Sequence, residues 1–411
     1  MPKLVMGIGK MVKGMKTIVR KKTAKGGSAK APAPGFSSIV EESAHLLVPA
    51  GSESDAFHKD VFYNPAMRLN RSLSSLALGA FIREGLLEKP AVLDGLAATG
   101  ARGIRYALEN ETGKVVFVDA NPAAIPVLKK NIAKNKLAGK AKAVGDDLNA
   151  FLCKSWEKFD FVELDPFGSP VFFLNNAIRC VSQKGILSVT ATDLAKLCGK
   201  EQATCIRHYS SKPMRCPFSH ELALRILIKK VVEAAAVHDV AAVPLFSFYH
   251  GHALKAFFTC ERRPQEASGL LGQIAFAVLC RKCFHRGIEK FPPGKCPNCG
   301  AKTDCAGPLW AGETTRVGLS AKLIELNRKR NYADSKAIGK ILEAINGENG
   351  LLPLFYDLHE LSEKLSNHSP KTSEFVKKLR DAGFEAGATH YSPTGVKTNA
   401  PIGEMERLLA K

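Results

Sequence analysis

The most restrictive feature of the chain is a series of short apolar runs that end on carboxylates. "AVLDGL", "KVVFVDA" and "FDFVELD" stop at or beside Asp94, Asp119 and Asp165, and a further run, "GILSVTAT", follows. Helical patterns lie between them: "MRLNRSLSSLALGAFIREGLL", "ARGIRYALEN" and "PAAIPVLKKNIAKNKL", the last with Pro122 near its first turn. Strands alternating with helices predict an α/β fold with a doubly wound, Rossmann-like parallel sheet. Ligands of such sheets bind beyond the carboxyl ends of the strands, and that is where the acids sit. "AAVPLFSFYHGHALKAFFTCE" predicts two more strands joined by a Gly-containing turn, with His250 and His252 as turn or surface residues.

The loop after the first run is "DGLAATGARG". Its glycines, Gly95, Gly100 and Gly103, allow close approach of backbone to a ligand. The spacing is Asp-Gly-x4-Gly-x2-Gly, not the Gly-x-Gly-x-x-Gly that seats a pyrophosphate on a helix N-terminus. Asp119, at the next strand tip, is placed to accept ribose hydroxyls. In "GDDLNAFL", Asp146 or Asp147 is placed to reach an adenine edge. Acids at successive strand ends suit S-adenosyl-L-methionine, with its cationic sulfonium and amino groups, better than NAD. Helix capping is the plain structural alternative for Asp94 and Asp119.

The third run ends in Asp165-Pro166-Phe167-Gly168. An exocyclic base amine is a poor nucleophile because its lone pair is delocalised into the ring. A carboxylate and a backbone carbonyl that accept its two N–H bonds favour a tetrahedral nitrogen and stabilise the developing positive charge. Asp165 supplies the carboxylate, Pro166 the carbonyl, Phe167 a face for a flipped base, and Gly168 the tight turn.

Net charge is +20, from 59 Lys+Arg against 39 Asp+Glu. A long basic chain points to a polyanion, a nucleic acid or an anionic membrane surface. No apolar run approaches the ~20 residues of a membrane span, and the basic N-terminus lacks the apolar core of a secretory signal. Eleven cysteines, scattered through apolar segments, fit a reducing cytoplasm rather than a disulfide framework. Residues 1–35 hold no acid and end in Gly, Ser, Ala and Pro. They are expected to form a flexible basic tail, with a nucleic-acid-contacting arm or a targeting segment as alternatives. "CRKCFHRGIEKFPPGKCPNCG" sets Cys280-x2-Cys283 before Cys296-x2-Cys299, a tetrahedral zinc spacing with no open position and so a structural site. Cys305 and His285 fit the spacing less well. Lys282, Arg281, Arg286, Lys290 and Lys295 make the ribbon either a phosphate-contacting surface or a solvated one. After about residue 262 the pattern changes to this cluster and then to helices, and the chain closes on "THYSPTGVKTNAP", where Lys397 touches either RNA or a domain interface.

Taken together, the motifs "VFYNPAMRLNRSLS", "DGLAATGARGIRYALE", "DLNAFL", "DPFGSP", "SHELALRILI", "GPLWAGE" and "GVKTNAP" resemble the tRNA (guanine-N2)-dimethyltransferases that modify the guanine at nucleotide 26. The likeness runs from about residue 36 to the end. It implies a methyltransferase sheet in residues 36–262 and a C-terminal α+β, tRNA-binding domain in 263–411 that carries a zinc ribbon at 280–299. It implies a cofactor pocket of Arg71, Arg102, Asp119 and Asp147 with the backbone at Leu148, beside the Asp94 and Gly100 of the loop. It implies Asp165 as catalytic acceptor and Phe62 and Phe167 as rings that sandwich the guanine. Two positions depart from the family pattern, which often has Ala where this chain has Gly95 and Leu148.

The expected function is transfer of one or two methyl groups from S-adenosyl-L-methionine to N2 of guanine 26 in tRNA, by a cytoplasmic monomer. A DNA adenine amino-methyltransferase and a catalytically inactive, zinc-containing RNA-binding protein are the alternatives.

Overall fold

Seven strands build the central sheet of the computed structural model, which describes residues 35–52 and 59–410. The basic tail lies outside the described residues except for Gly35. A hairpin, β1 (Phe36–Glu41) and β2 (Ala44–Pro49), precedes the sheet. The sheet strands are β3 (Val92–Gly95), β4 (Val115–Asp119), β5 (Ala141–Gly145), β6 (Phe159–Leu164), β7 (Val181–Ala191), β8 (Val240–His250) and β9 (Ala253–Arg262). Their order is β5-β4-β3-β6-β7-β9-β8. The first five are parallel, while β9 runs antiparallel between β7 and β8. The predicted doubly wound sheet and its closing hairpin are both present, the turn falling at Gly251-His252.

Successive side chains of a strand face opposite sides, and the core divides accordingly. Val92, Phe117, Phe161 and Phe257 pack on one face with helices α1 (Arg68–Arg83) and α2 (Ala101–Glu109). Leu93, Val116, Val162 and Phe258 pack on the other, with the helix Ser219–Ala236. Helix α3 (Ala124–Lys134) begins two residues after Pro122, and α4 (Leu148–Lys154) follows β5. Strand order reverses beside β3, whose neighbours are β4 and β6, so a crevice opens beyond the carboxyl ends of these three strands.

Beyond Arg262 the chain leaves this sheet. Strands β10 (Ile274–Leu279), β11 (Arg286–Glu289) and β12 (Asp304–Trp310) form an antiparallel sheet around the cysteine cluster. The helices Leu319–Arg330 and Ser335–Glu348 contribute to the core face of α1 and α2. A last small sheet (Tyr356–Asp357, Ala386–Ala388, Gly395–Thr398) and three helices share their own core around Phe375, Val396 and Met405. Lys397 is buried there at an interface: its Nζ lies 3.2 Å from Glu221 and 3.0 Å from Glu348. Among the described residues no helix is long and apolar enough to cross a membrane.

Candidate active site

The loop from β3 to α2 is conformationally unusual. Leu96, Ala98 and Gly100 all have positive φ, 67°, 49° and 78°. Such backbone is costly for residues other than glycine and concentrates at ligand sites. The loop is tied down by carboxylates. Asp94 accepts from the Gly103 amide at 2.9 Å, and a Cβ on Gly103 would lie 2.7 Å from the same carboxylate. Asp119 Oδ2 accepts from Ala98 N at 2.7 Å and its Oδ1 from Asn121 N at 2.8 Å. Burial, with Glu163 nearby, pushes the Asp94 carboxyl up to about 7.

Asp147 is exposed and caps α4, accepting from Ala150 N at 3.0 Å. Leu148 is the first helical residue, where a backbone N–H has no partner within the helix. Its side chain is buried under the loop, and a Cβ added to Gly95 would meet Leu148 Cδ2 at 2.9 Å. The larger residue at 148 thus occupies room left by the smaller one at 95.

Asp165 leaves β6 at the crevice, its side chain about a quarter exposed. Arg102, from α2, reaches it with Nη2 2.5 Å from Oδ2, and also donates to Ser74 Oγ at 2.8 Å and to Asn70 Oδ1 at 3.1 Å. A residue expected at the cofactor thus touches the expected catalytic acid. Burial alone would raise the Asp165 carboxyl, but Arg102 and Lys255 outweigh it and hold the group below the usual range. Gly168 takes φ +80° and donates from its amide to Thr192 Oγ1 at 2.8 Å, which fixes the turn. Phe167 is 65% exposed. Phe62 lies edge-on to it with ring centroids 4.3 Å apart. The two rings are therefore together, but stacking a base between them needs about 7 Å, two contact distances of ~3.5 Å.

Arg71 has a different set of partners. Its guanidinium forms a buried fork with Glu41, at 2.7 and 2.5 Å, and donates to Asn64 O at 3.1 Å. Tyr63 donates to the same carboxylate at 2.7 Å. Burial opposes ionisation of Glu41, yet Arg71 and Arg105 bring it down to about 2.

Below the corner is a buried network that sequence reasoning missed. Glu163, fully buried on β6, accepts from Tyr106 at 2.7 Å, from Ser188 at 2.8 Å and from Lys255 Nζ. Lys255, also fully buried, donates to Thr190 Oγ1 at 2.8 Å as well. The available signal was parity: Phe161, Glu163 and Asp165 share one face of a strand, so a carboxylate sat at an inward position.

The four predicted cysteines converge. Their sulfurs all lie within 4.8 Å of one another, with Cys280–Cys299 at 3.5 Å and Cys283–Cys296 at 3.6 Å. A zinc tetrathiolate with Zn–S about 2.3 Å has S–S edges of about 3.8 Å, so the donor set fits. Cys305 instead sits on β12 opposite Val278.

The family model described as N2,N2-dimethylguanosine tRNA methyltransferase matches residues 41–410. A tRNA (guanine(26)-N(2))-dimethyltransferase of Methanothermobacter thermautotrophicus is 35% identical over 376 residues, 90% of this chain and 98% of that relative. A tRNA (guanine(26)-N(2)/guanine(27)-N(2))-dimethyltransferase of Aquifex aeolicus is 36% identical, over 89% of this chain and 94% of its own length. Trm1 from Pyrococcus horikoshii, solved with S-adenosyl-L-methionine, superposes with a TM-score of 0.80 at 32% identity, covering 90% of this chain and 99% of that one. The chain belongs to the N2,N2-dimethylguanosine tRNA methyltransferase family.

Proposed function

We propose that the chain is an S-adenosyl-L-methionine-dependent tRNA methyltransferase that adds one or two methyl groups to the exocyclic N2 of guanine 26. The observation that carries this is a carboxylate, Asp165, kept ionised by Arg102 at the mouth of the sheet crevice, beside two aromatic rings. When bound, S-adenosyl-L-methionine supplies an electrophilic methyl carbon on a sulfonium.

The chain's own residues bind and orient. Asp119 offers carboxylate oxygens to ribose hydroxyls, the Leu148 amide and Asp147 face the adenine, and Arg71 and Arg102 serve the charged end, with Asp94 and Gly100 shaping the loop. Asp165 accepts one N–H of the guanine amine and the Pro166 carbonyl the other, which favours a tetrahedral nitrogen. The proton given up by N2 passes to Asp165 or to water. Phe62 and Phe167 part to hold a base that has left its stack. Cys280, Cys283, Cys296 and Cys299 would hold zinc, which would keep the ribbon folded.

The division into a catalytic region, 36–262, and a tRNA-binding region, 263–411, belongs to the same proposal, supported by the sheet ending at Arg262. So do a cytoplasmic location, a monomer, and a basic tail in residues 1–35.

The test is methyl transfer from labelled S-adenosyl-L-methionine to unmodified tRNA and to the same tRNA with adenine at position 26. N2-methyl- and N2,N2-dimethylguanosine from the first only is the expected product. Label in both, or in neither, refutes the assignment.

A further inference from the structure

Five residues beyond Phe167 another ring stands in solvent. Phe172, in the short helix Pro170–Phe172, is 61% exposed. His208 meets it nearly perpendicular, centroids 5.3 Å apart. The two belong to one braced corner. Ser169 donates to the Tyr209 hydroxyl at 2.9 Å, and Tyr209 donates to Asp193 at 2.8 Å, so the helix Gln202–Tyr209 is tied to the turn that presents Phe167. Five residues of chain span at most ~18 Å, which keeps Phe172 within reach of a strand whose base lies at Phe167.

Charge agrees with the rings. Lys200, Arg207, Lys212 and Arg215 are exposed in this segment, and Glu201 is the one acid among residues 196–215. Arg281 of the ribbon donates to the Arg215 carbonyl at 2.6 Å, so the cations continue into the cysteine domain. Exposure alone is not the criterion. Trp156 is 97% exposed, but it precedes β6, at the opposite end of that strand from Asp165.

We infer that Phe172, propped by His208, is a stacking platform for a nucleotide flanking the target guanine, with the cations of residues 200–215 along its phosphates. Aromatic faces beside a basic track are how single-stranded nucleic acid is held without reading its sequence. The platform holds the strand on one side of the extruded base. The inference rests on the tRNA reading above.

The full chain is tested as wild type, Phe172→Ala, Phe172→Trp and, as control, Trp156→Ala. Affinity for tRNA is measured by anisotropy, apart from any methyl transfer, and 2-aminopurine is placed at nucleotide 25 or 27. Phe172→Ala is expected to weaken binding about 10-fold or more, equivalent to ~1.4 kcal/mol. It also loses the fluorescence quenching seen with wild type, while Phe172→Trp restores both and Trp156→Ala changes neither. Equal affinity and equal quenching in Phe172→Ala overturn the platform and leave the pair to a protein partner. If wild type binds tRNA but transfers no methyl, the functional reading fails, and the binding arm still decides the platform.

Discussion

Replacing Lys255 by Met removes the cation from a fully buried ion pair, since neither Lys255 nor Glu163 has exposed side-chain surface. Losing one partner of such a pair costs about 3–5 kcal/mol, because the other charge stays buried without compensation. Here the lower end applies. Glu163 keeps its bonds from Tyr106 at 2.7 Å and Ser188 at 2.8 Å, and Arg102 Nε lies 3.9 Å away. The expected loss is therefore about 3 kcal/mol in urea unfolding. Adding Glu163→Gln removes the stranded charge and keeps an acceptor for Tyr106 and Ser188. The double variant should recover at least ~1 kcal/mol relative to the sum of the singles. Function reports the same network. Lys255 helps hold the Asp165 carboxyl low, so its loss raises that pKa. The acid limb of the kcat profile then moves to higher pH, because Asp165 takes up its proton sooner as pH falls. A single variant costing under ~1 kcal/mol, or strict additivity of the pair, refutes the idea that Lys255 neutralises Glu163.

Gly95→Ala should lower both the unfolding midpoint and cofactor affinity, since its Cβ would lie 2.9 Å from Leu148 Cδ2. Leu148→Ala in that background should restore most of the loss by urea titration and calorimetry, and no rescue would separate the two positions. Zinc should be present at one ion per chain by elemental analysis, and Cys296→Ser should lose it and lower the melting temperature; metal-free native protein contradicts the ribbon. Burial opposes ionisation of Glu348, but Lys397 and His390 hold its pKa near 2, against 4.5 ordinarily. Its stabilisation, on the order of 3 kcal/mol, is present above pH 4.5 and lost as pH falls toward 2, so Glu348→Gln should flatten stability across that window.

The parallel sheet was legible because strands buried on both faces read as nearly unbroken apolar runs. The acids Asp94, Asp119 and Asp165 stood out as the stops of those runs, and the cysteine ligands as a spacing. What stayed hidden were partnerships across long separations. Arg71 finds Glu41 from 30 residues away, in a hairpin whose sequence, "FSSIVEESAHLLVP", carries no strong alternation. Lys255 finds Glu163 across 92 residues, from β9 to β6, with β7 between the two strands in the folded sheet. Two glycines interrupt the pattern of the helix Ser335–Glu348, and Ile402–Leu409 is short and follows a turn-rich stretch, so neither helix has a clear signature in the sequence. Lys397 was narrowed to RNA or an interface, and burial between Glu221 and Glu348 chooses the interface.

The most direct test of the account is Asp165→Asn, which keeps the side chain's shape and removes its charge. Single-turnover methyl transfer and S-adenosyl-L-methionine affinity are measured on the same preparation. The account predicts cofactor affinity within about 10-fold, ~1.4 kcal/mol, and methyl transfer reduced by about 100-fold or more, as for loss of one transition-state group. Transfer at a near-normal rate in Asp165→Asn would contradict the central claim that this carboxylate holds the reacting amine.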